Sequence, residues 1–320
     1  MSRPDVDVLI PVRDGARFLP ACLDSVFAQT LSPHAVVVVD DGSIDETPRI
    51  LSDYAARRPN LQVIRTAPRG AAHARNVALK ASRAPFVAFL DSDDVWLPEK
   101  LARQMALFTA DPAQPGFVHC AYFCIDEHGR RVRRRVIEPR KRGDVFADLL
   151  AGYGLAGSAS AVLARRDLVI AAGGFDESFV LGEDWDLWIR MAKLGHVDFV
   201  ADALTGIRFH ALSIQRQRSA VPEAFLLARL RIVGKWIDRV PDSGRLVDRY
   251  RIEAVRVGLK NVLMRYPPRS GLLRRLRESD VPLARRLFPT RWTYARSLVQ
   301  AAAEVVRRPL TGLRWQRVPP

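Results

Sequence analysis

Cysteine is scarce in this sequence: three in 320 residues, at Cys22, Cys120 and Cys124. Three thiols make no disulfide framework, and free thiols fit a reducing cytosol. Cys120 and Cys124 lie in the aromatic, strand-like run FVHCAYFC, with no second cysteine pair to complete a metal site. Core packing is their expected role. No apolar run approaches the ~18 residues of a membrane span. The opening MSRPDVDVLIPV enters a strand-like run without a charged-then-apolar leader, which predicts that the chain is not secreted. No internal repeat is visible. No Gly-x-Gly-x-x-Gly follows the first apolar strand, which argues against a dinucleotide-dependent dehydrogenase.

Charge is plentiful but uneven. The formal net charge is +15. Residues 1–205 hold 25 Lys and Arg against 27 Asp and Glu, whereas residues 206–320 hold 25 against 8. A basic final third suits a polyanion: a membrane surface, nucleic acid or an anionic acceptor. Arg outnumbers Lys throughout, so an Arg-rich composition with no partner behind it is the plainer reading. The tail has few interleaved aromatics and no recognised motif, so nucleic acid is not expected as a partner.

The hydrophobic pattern alternates. Val6–Val12 reads as a buried strand, and Leu19, Cys22, Leu23 and Val26 then recur at a helical period. Ala35–Val39 is a β-branched run that ends in Asp40-Asp41-Gly42-Ser43, and Asp45 is a candidate N-cap for the next helix. Leu61–Arg65 reads as a strand, residues 71–82 as a helix, and residues 85–90 as a strand ending in Asp91-Ser92-Asp93-Asp94. Pro98 opens a helix with Leu101, Met105 and Phe108 on one face. This order predicts an α/β fold, a mostly parallel sheet with helices on both faces. Ligands of such sheets bind beyond the carboxyl ends of the strands. The polar ends at Pro11–Asp14, Asp40–Ser43 and Asp91–Asp94 are therefore expected to gather on one edge. Past residue 110 the pattern predicts a hairpin from residues 117–123 and 131–137 and a strand over 158–164. It also predicts a helix in GEDWDLWIRMAKLG, with Leu187, Met191 and Leu194 aligned and Gly195 as C-cap. Beyond Arg208 the chain reads as helical and basic.

Three acidic groups carry candidate chemistry. Asp91, Asp93 and Asp94 repel one another unless a cation joins them. At a ligand-binding edge, Asp-x-Asp offers oxygens to Mg²⁺ or Mn²⁺ that also holds a diphosphate. The plainer reading is a solvated turn with Asp94 capping a helix. One of Asp40 and Asp41 could cap its turn while the other accepts from a base or ribose, and Gly42 allows close approach. Glu183 and Asp184 open an apolar helix. They are either a pair favoured by the helix dipole or a general base for an acceptor hydroxyl.

The blocks VDVLIPVRDGARFLPACLDSVFAQT, VVVVDDGSIDETPRIL, GAAHARNVAL, FVAFLDSDDVWLPEKL and GGFDESFVLGEDWDLWIRMAKLG, in this order, resemble the family 2 glycosyltransferases of GT-A fold, bacterial and non-processive. The resemblance runs from about Val6 to about His210. It implies that Pro11, Val12 and Asp14 line the nucleotide pocket. It implies that Asp41 contacts the base with Asp40 in support, and that Arg75 lies near base and diphosphate. Asp93 would be the direct metal ligand, with Asp91 at the ribose or sugar and a second candidate ligand. Asp184 would be the catalytic base, with Glu183 beside it, and His210 would sit near metal or diphosphate. No Gln-x-x-Arg-Trp segment is present, so processive polymer extrusion is not expected.

The resemblance thus implies a metal-dependent, inverting hexosyl transfer from a nucleotide-sugar, a UDP-sugar, to a glycan or lipid-linked acceptor in cell-surface polysaccharide synthesis. The alternatives are a nucleotide-binding module without turnover and a basic nucleic-acid-binding protein. A catalytic domain over 1–210 and a helical, Arg-rich extension over 211–320 are expected. In the extension, apolar stripes are expected at Phe225, Ala228, Ile232 and Trp236, at Val255, Leu259 and Val262, and at Ala295, Leu298, Ala302 and Val305. These faces either pack on the catalytic domain or on a second copy in a homodimer, or their basic borders meet an anionic leaflet. The second case makes the protein cytoplasmic and peripheral at the inner face of the plasma membrane.

Overall fold

The computed structural model describes residues 5–110, 114–132, 136–152, 155, 158–210, 222–240, 243–263 and 281–287. The chain forms two compact units, residues 1–217 and 218–320. In the first, an eight-stranded sheet has the order β3-β2-β1-β4-β7-β6-β8-β5. The strands are β1 (Val6–Val12), β2 (Ala35–Asp40), β3 (Leu61–Arg65), β4 (Phe86–Phe89), β5 (Val95–Trp96), β6 (Phe117–Ile125), β7 (Val162–Arg165) and β8 (Val197–Arg208). Strands β1 to β4 run parallel, β7 runs antiparallel to β4 and β6, and β8 pairs parallel with β6 and antiparallel with β5.

Among the described residues of this unit the helices are α1 (Leu19–Phe27), α2 (Thr47–Ala55), α3 (Ala71–Ala81), α4 (Lys100–Ala110), α5 (Phe146–Leu150), α6 (Arg166–Ala171) and α7 (Glu183–Ala192). Strands β1 and β2 are nearly continuous apolar runs because both sheet faces are covered; the exception, Asp7 in β1, is buried and accepts the Arg83 and Ala84 amides. Val8, Ile10, Val36 and Val38 join Leu19, Cys22, Leu23 and Val26 of α1 and Leu51 of α2 in one core. Burying each such aliphatic chain contributes about 1.5–3 kcal/mol. The face expected for α4, Leu101, Met105 and Phe108, enters the same core. All three cysteines are buried and unpaired to one another, as packing residues should be.

The less periodic half departs from expectation in detail. The run over 158–164 is not one strand: Ala159–Ala161 make a 3₁₀ turn, and β7 starts at Val162. Ser158 caps that turn by accepting the Ser160 amide, a local bond that competes with strand pairing. The hairpin survives as bridges Tyr122↔Ile137 and Ile125↔Arg131, with residues 133–135 outside the described set. Helix α7 stops at Ala192, so Leu194 lies beyond it and is 55% exposed.

In the second unit α8 (Pro222–Gly234), α9 (Ser243–Leu263) and α10 (Pro282–Leu287) contact one another. The buried face of α8 is Leu226, Leu230, Ile232 and Val233, followed by Ile237. The stripe is rotated by about one residue from Phe225, Ala228 and Trp236, because the branched aliphatics also recur at three and four. The stripe at Val255, Leu259 and Val262 falls on the α9 backbone with side chains outside the description, and the one over 295–305 lies outside the described residues.

Candidate active site

The three polar strand ends do meet on one edge. The amides of Asp14, Gly15 and Ala16 donate to Ser43 Oγ (2.9 Å), Thr47 Oγ1 (2.9 Å) and Asp45 Oδ2 (3.0 Å). Asp14 adopts a positive φ of 48°, and its Oδ1 accepts the Ile44 amide at 2.8 Å. Asp45 also accepts the Thr47 amide at 2.9 Å, so it serves the start of α2 from outside the cap position, which Glu46 occupies. Pro11 and Val12 are buried at the end of β1, and the Val12 carbonyl accepts the Asp41 amide at 2.8 Å.

Asp40 and Asp41 divide their work. Asp40 Oδ1 accepts the Ser43 amide at 2.8 Å, which closes the turn. Asp41 accepts the amides of Arg69 (2.8 Å) and Gly70 (2.7 Å), one on each oxygen, and fixes the loop that opens α3. Gly42 has φ +74°, and a Cβ there would stand 2.7 Å from Pro68 Cδ, so only glycine lets the two loops close together.

The acidic cluster is not a solvated turn. Asp94 is 3% exposed and accepts Ser160 Oγ at 2.6 Å and the Arg208 amide at 2.8 Å. Burial, then the Asp93 and Asp91 charges, push its carboxyl well above the usual carboxylate range. Asp91 Oδ1 accepts Arg75 Nη2 at 2.6 Å, and Oδ2 accepts Ser158 Oγ at 2.9 Å. Asp93 is about as open as Asp91, and its Oδ2 lies 2.9 Å from His210 Nε2. Strand pairing brings the two segments near each other. Val95↔Gly206 and Trp96↔Thr205 lay β5 against the end of β8, which delivers His210 to the turn before β5.

Helix α7 adds the second carboxylate pair. Gly182 in the left-handed region starts it, and Glu183, Asp184 and Asp186 occupy its first turn, where the helix dipole favours them. Buried Arg75 joins this pair to the cluster, since its Nη1 donates to Glu183 Oε1 at 2.7 Å while Nη2 holds Asp91. Burial alone would pull the Arg75 guanidinium down, but the two carboxylates hold it above its usual value. Asp184 is half-buried, and burial followed by the Glu183 charge pushes its carboxyl up to about 7. The loop before α7 is tied to α3 by a reciprocal pair, Asn76 Nδ2 to Phe175 O and the Phe175 amide to Asn76 Oδ1, each 2.8 Å.

The edge therefore brings together Asp93 with His210, and Asp91 with Arg75, Glu183 and Asp184. Asp41, Asp14, Pro11 and Val12 stand on the neighbouring strand ends. Ser158, Ser160 and Arg208 escaped the sequence reading. The serines lie in a small-residue run without periodicity, but Arg208 and His210 are two apart at a strand end, a spacing that puts two residues on one side.

Residues 7–169 match the profile described as Glycosyl transferase family 2. The chain is 28% identical over 211 residues to an uncharacterized glycosyltransferase of Rickettsia prowazekii (strain Madrid E), spanning 65% of this chain and 65% of that protein's length. It is 30% identical over 207 residues to the amylovoran biosynthesis glycosyltransferase AmsE of Erwinia amylovora, spanning 62% of this chain and 74% of the relative. The UDP-Glc:alpha-D-GlcNAc-diphosphoundecaprenol beta-1,3-glucosyltransferase WfgD of Escherichia coli is 30% identical over 195 residues, 61% of this chain and 72% of its own. Among solved structures, TarS 1-349 of S. aureus in complex with UDP-GlcNAc superposes with a TM-score of 0.67 at 20% identity, covering 95% of this chain and 91% of that one. The mannosyltransferase PcManGT of Pyrobaculum calidifontis, in complex with GDP-Man and Mn2+, gives a TM-score of 0.58 at 22% identity, covering 96% and 88%. A profile that spans half the chain, over a GT-A sheet, makes this protein a member of the family 2 glycosyltransferases.

Proposed function

We propose that the protein transfers a sugar, with inversion, from a UDP-sugar to a hydroxyl of a glycan or lipid-linked acceptor in cell-surface polysaccharide synthesis. The observation that carries this reading is the convergence, at one sheet edge, of the Asp93–His210 pair with a second carboxylate near neutrality, Asp184. Asp93 and His210 fit a divalent cation. Their facing atoms are 2.9 Å apart, about the spacing of neighbouring ligands in an octahedral shell of radius ~2.1 Å. Among the described residues no cluster of three or more such side chains could hold the ion alone. That suits a site completed by diphosphate oxygens and water. Mg²⁺ or Mn²⁺ bound there would stabilise the negative charge on the leaving nucleoside diphosphate. Asp184, ionised above neutrality, takes the proton of the acceptor hydroxyl as it attacks the anomeric carbon opposite the diphosphate. Asp41, Asp14, Pro11 and Val12 are assigned to the nucleotide. Thermal-shift titration with UDP, GDP, TDP and CMP, with and without Mn²⁺, tests the reading. UDP with Mn²⁺ should give the largest shift, and stabilisation that ignores both nucleotide and metal would contradict it.

The second unit supports a proposal on placement. Residues 206–320 hold 25 Lys and Arg against 8 Asp and Glu, and Arg231, Lys235, Arg239 and Arg245 are exposed. We assign this excess of positive charge to an anionic cytoplasmic leaflet, where each such residue contributes about 1 kcal/mol. No helix among the described residues is long and apolar enough to cross a membrane.

A further inference from the structure

The end of β8 carries a buried cation that took no part in the sequence reading. Arg208 is 4% exposed. Its amide donates to Asp94 Oδ1 at 2.8 Å, its Nε to the Asp93 carbonyl at 2.7 Å, and its Nη1 to the Asp126 carbonyl at 2.9 Å. The guanidinium lies 4.8 Å from the Phe18 ring centre, and the same ring is 4.7 Å from the His210 ring. Asp94 is held from its other side by Ser160 Oγ, which also accepts the Asp91 amide at 3.0 Å. Every member of the Asp91–Asp94 turn that bears on Asp93 is thus tied to the last residue of β8 or to the 3₁₀ turn behind it.

The pairing of β5 with β8 spans only two residue pairs, Val95↔Gly206 and Trp96↔Thr205. His210 lies beyond its end, and Asp93 lies before its start. Nothing in the ladder itself sets their distance. The bonds of Arg208 continue the connection past the ladder, on the side where His210 must meet Asp93. We propose that Arg208 and Asp94 form a clamp that locks the end of β8 onto the Asp91–Asp94 turn, making Arg208 the positioning residue that seats His210 beside Asp93. The clamp rests on the reading of Asp93 and His210 as a cation seat. Its physical value is preorganisation. Two ligands from segments more than a hundred residues apart must be ordered before they can share an ion, and a buried, charge-assisted network orders them in advance. The residue type follows from the geometry. Arg208 donates along two directions to carbonyls on separate segments, Asp93 and Asp126, and a lysine ammonium on its flexible stem cannot hold that fork.

The test is Mn²⁺ binding read by electron paramagnetic resonance in saturating UDP, on the full chain and on Arg208→Lys, Asp94→Asn and Asp93→Ala. Arg208→Lys should weaken Mn²⁺ by about 10–100-fold, the usual cost of losing a residue that orients metal ligands. Its sugar transfer should recover as Mn²⁺ is raised, which a folding defect would not allow and which Asp93→Ala should not show. Asp94→Asn keeps the side-chain shape and should shift Mn²⁺ affinity in the same direction, so it carries the test if Arg208→Lys does not fold. Native Mn²⁺ affinity in either folded variant, or a loss of transfer that excess Mn²⁺ leaves unchanged, would overturn the clamp while leaving the cation seat intact. A native chain that binds no Mn²⁺ with UDP would remove the seat, and the clamp with it.

Discussion

Asp184 and Arg75 show how neighbouring charges divide roles among similar side chains. Arg75 spends its two terminal nitrogens on Asp91 and Glu183, so Glu183 is neutralised by contact while Asp184, one residue on, is not. Asp184 is the member whose carboxyl burial raises. Its carboxyl sits near 7 in the fold against ~3.9 in an unfolded chain. A group raised in this way contributes stability that is full below about pH 4 and lost as the pH rises through 7. Asn does not titrate. The Tm advantage of Asp184→Asn over the native chain should therefore grow between pH 4 and 8 and flatten beyond. Scanning fluorimetry across that range checks it, and a gap that is constant or shrinks with pH would contradict the assigned burial.

At the scale of elements, the sequence was clearest where burial is two-sided. The strands β1, β2 and β4 and the apolar faces of α1 and α4 were legible because a covered parallel sheet leaves unbroken apolar runs and its helices a single stripe. The edge they define was legible for the same reason, but singling out Asp41, Asp93 and Asp184 on it took the family resemblance. What could not be read was the partnering. Asp94 looked like a cap and is a buried acceptor for Arg208, because a carboxylate's neighbours come from β8, over a hundred residues away. Asp91 looked like a ligand and has both oxygens on Arg75 and Ser158. The run over 158–164 hid a 3₁₀ turn because a serine cap leaves no period. In α8 two overlapping stripes competed, and the larger aliphatics took the interior.

For the whole molecule, charge and chemistry are segregated. The sheet unit is close to neutral, whereas residues 206–320 hold 25 Lys and Arg against 8 Asp and Glu. A division of this kind lets one part bind an anionic surface while the other handles an anionic donor without general attraction for it. Liposome co-sedimentation should show binding that requires anionic lipid, weakens as salt rises, and weakens further on truncation near Pro267, which leaves Arg231, Lys235, Arg239 and Arg245 in place. Sedimentation indifferent to lipid charge and salt would leave the basic residues as a solvated surface.

The central claim is that Asp184 is the proton acceptor of a transfer whose donor is held elsewhere on the same edge. Nucleoside diphosphate release at saturating UDP-sugar and Mn²⁺ tests it most directly. Asp184→Asn should keep donor affinity within a few-fold while turnover falls by about 10²–10⁴, the usual range for losing a general base. Native turnover in Asp184→Asn, with loss instead in Glu183→Gln, would contradict it.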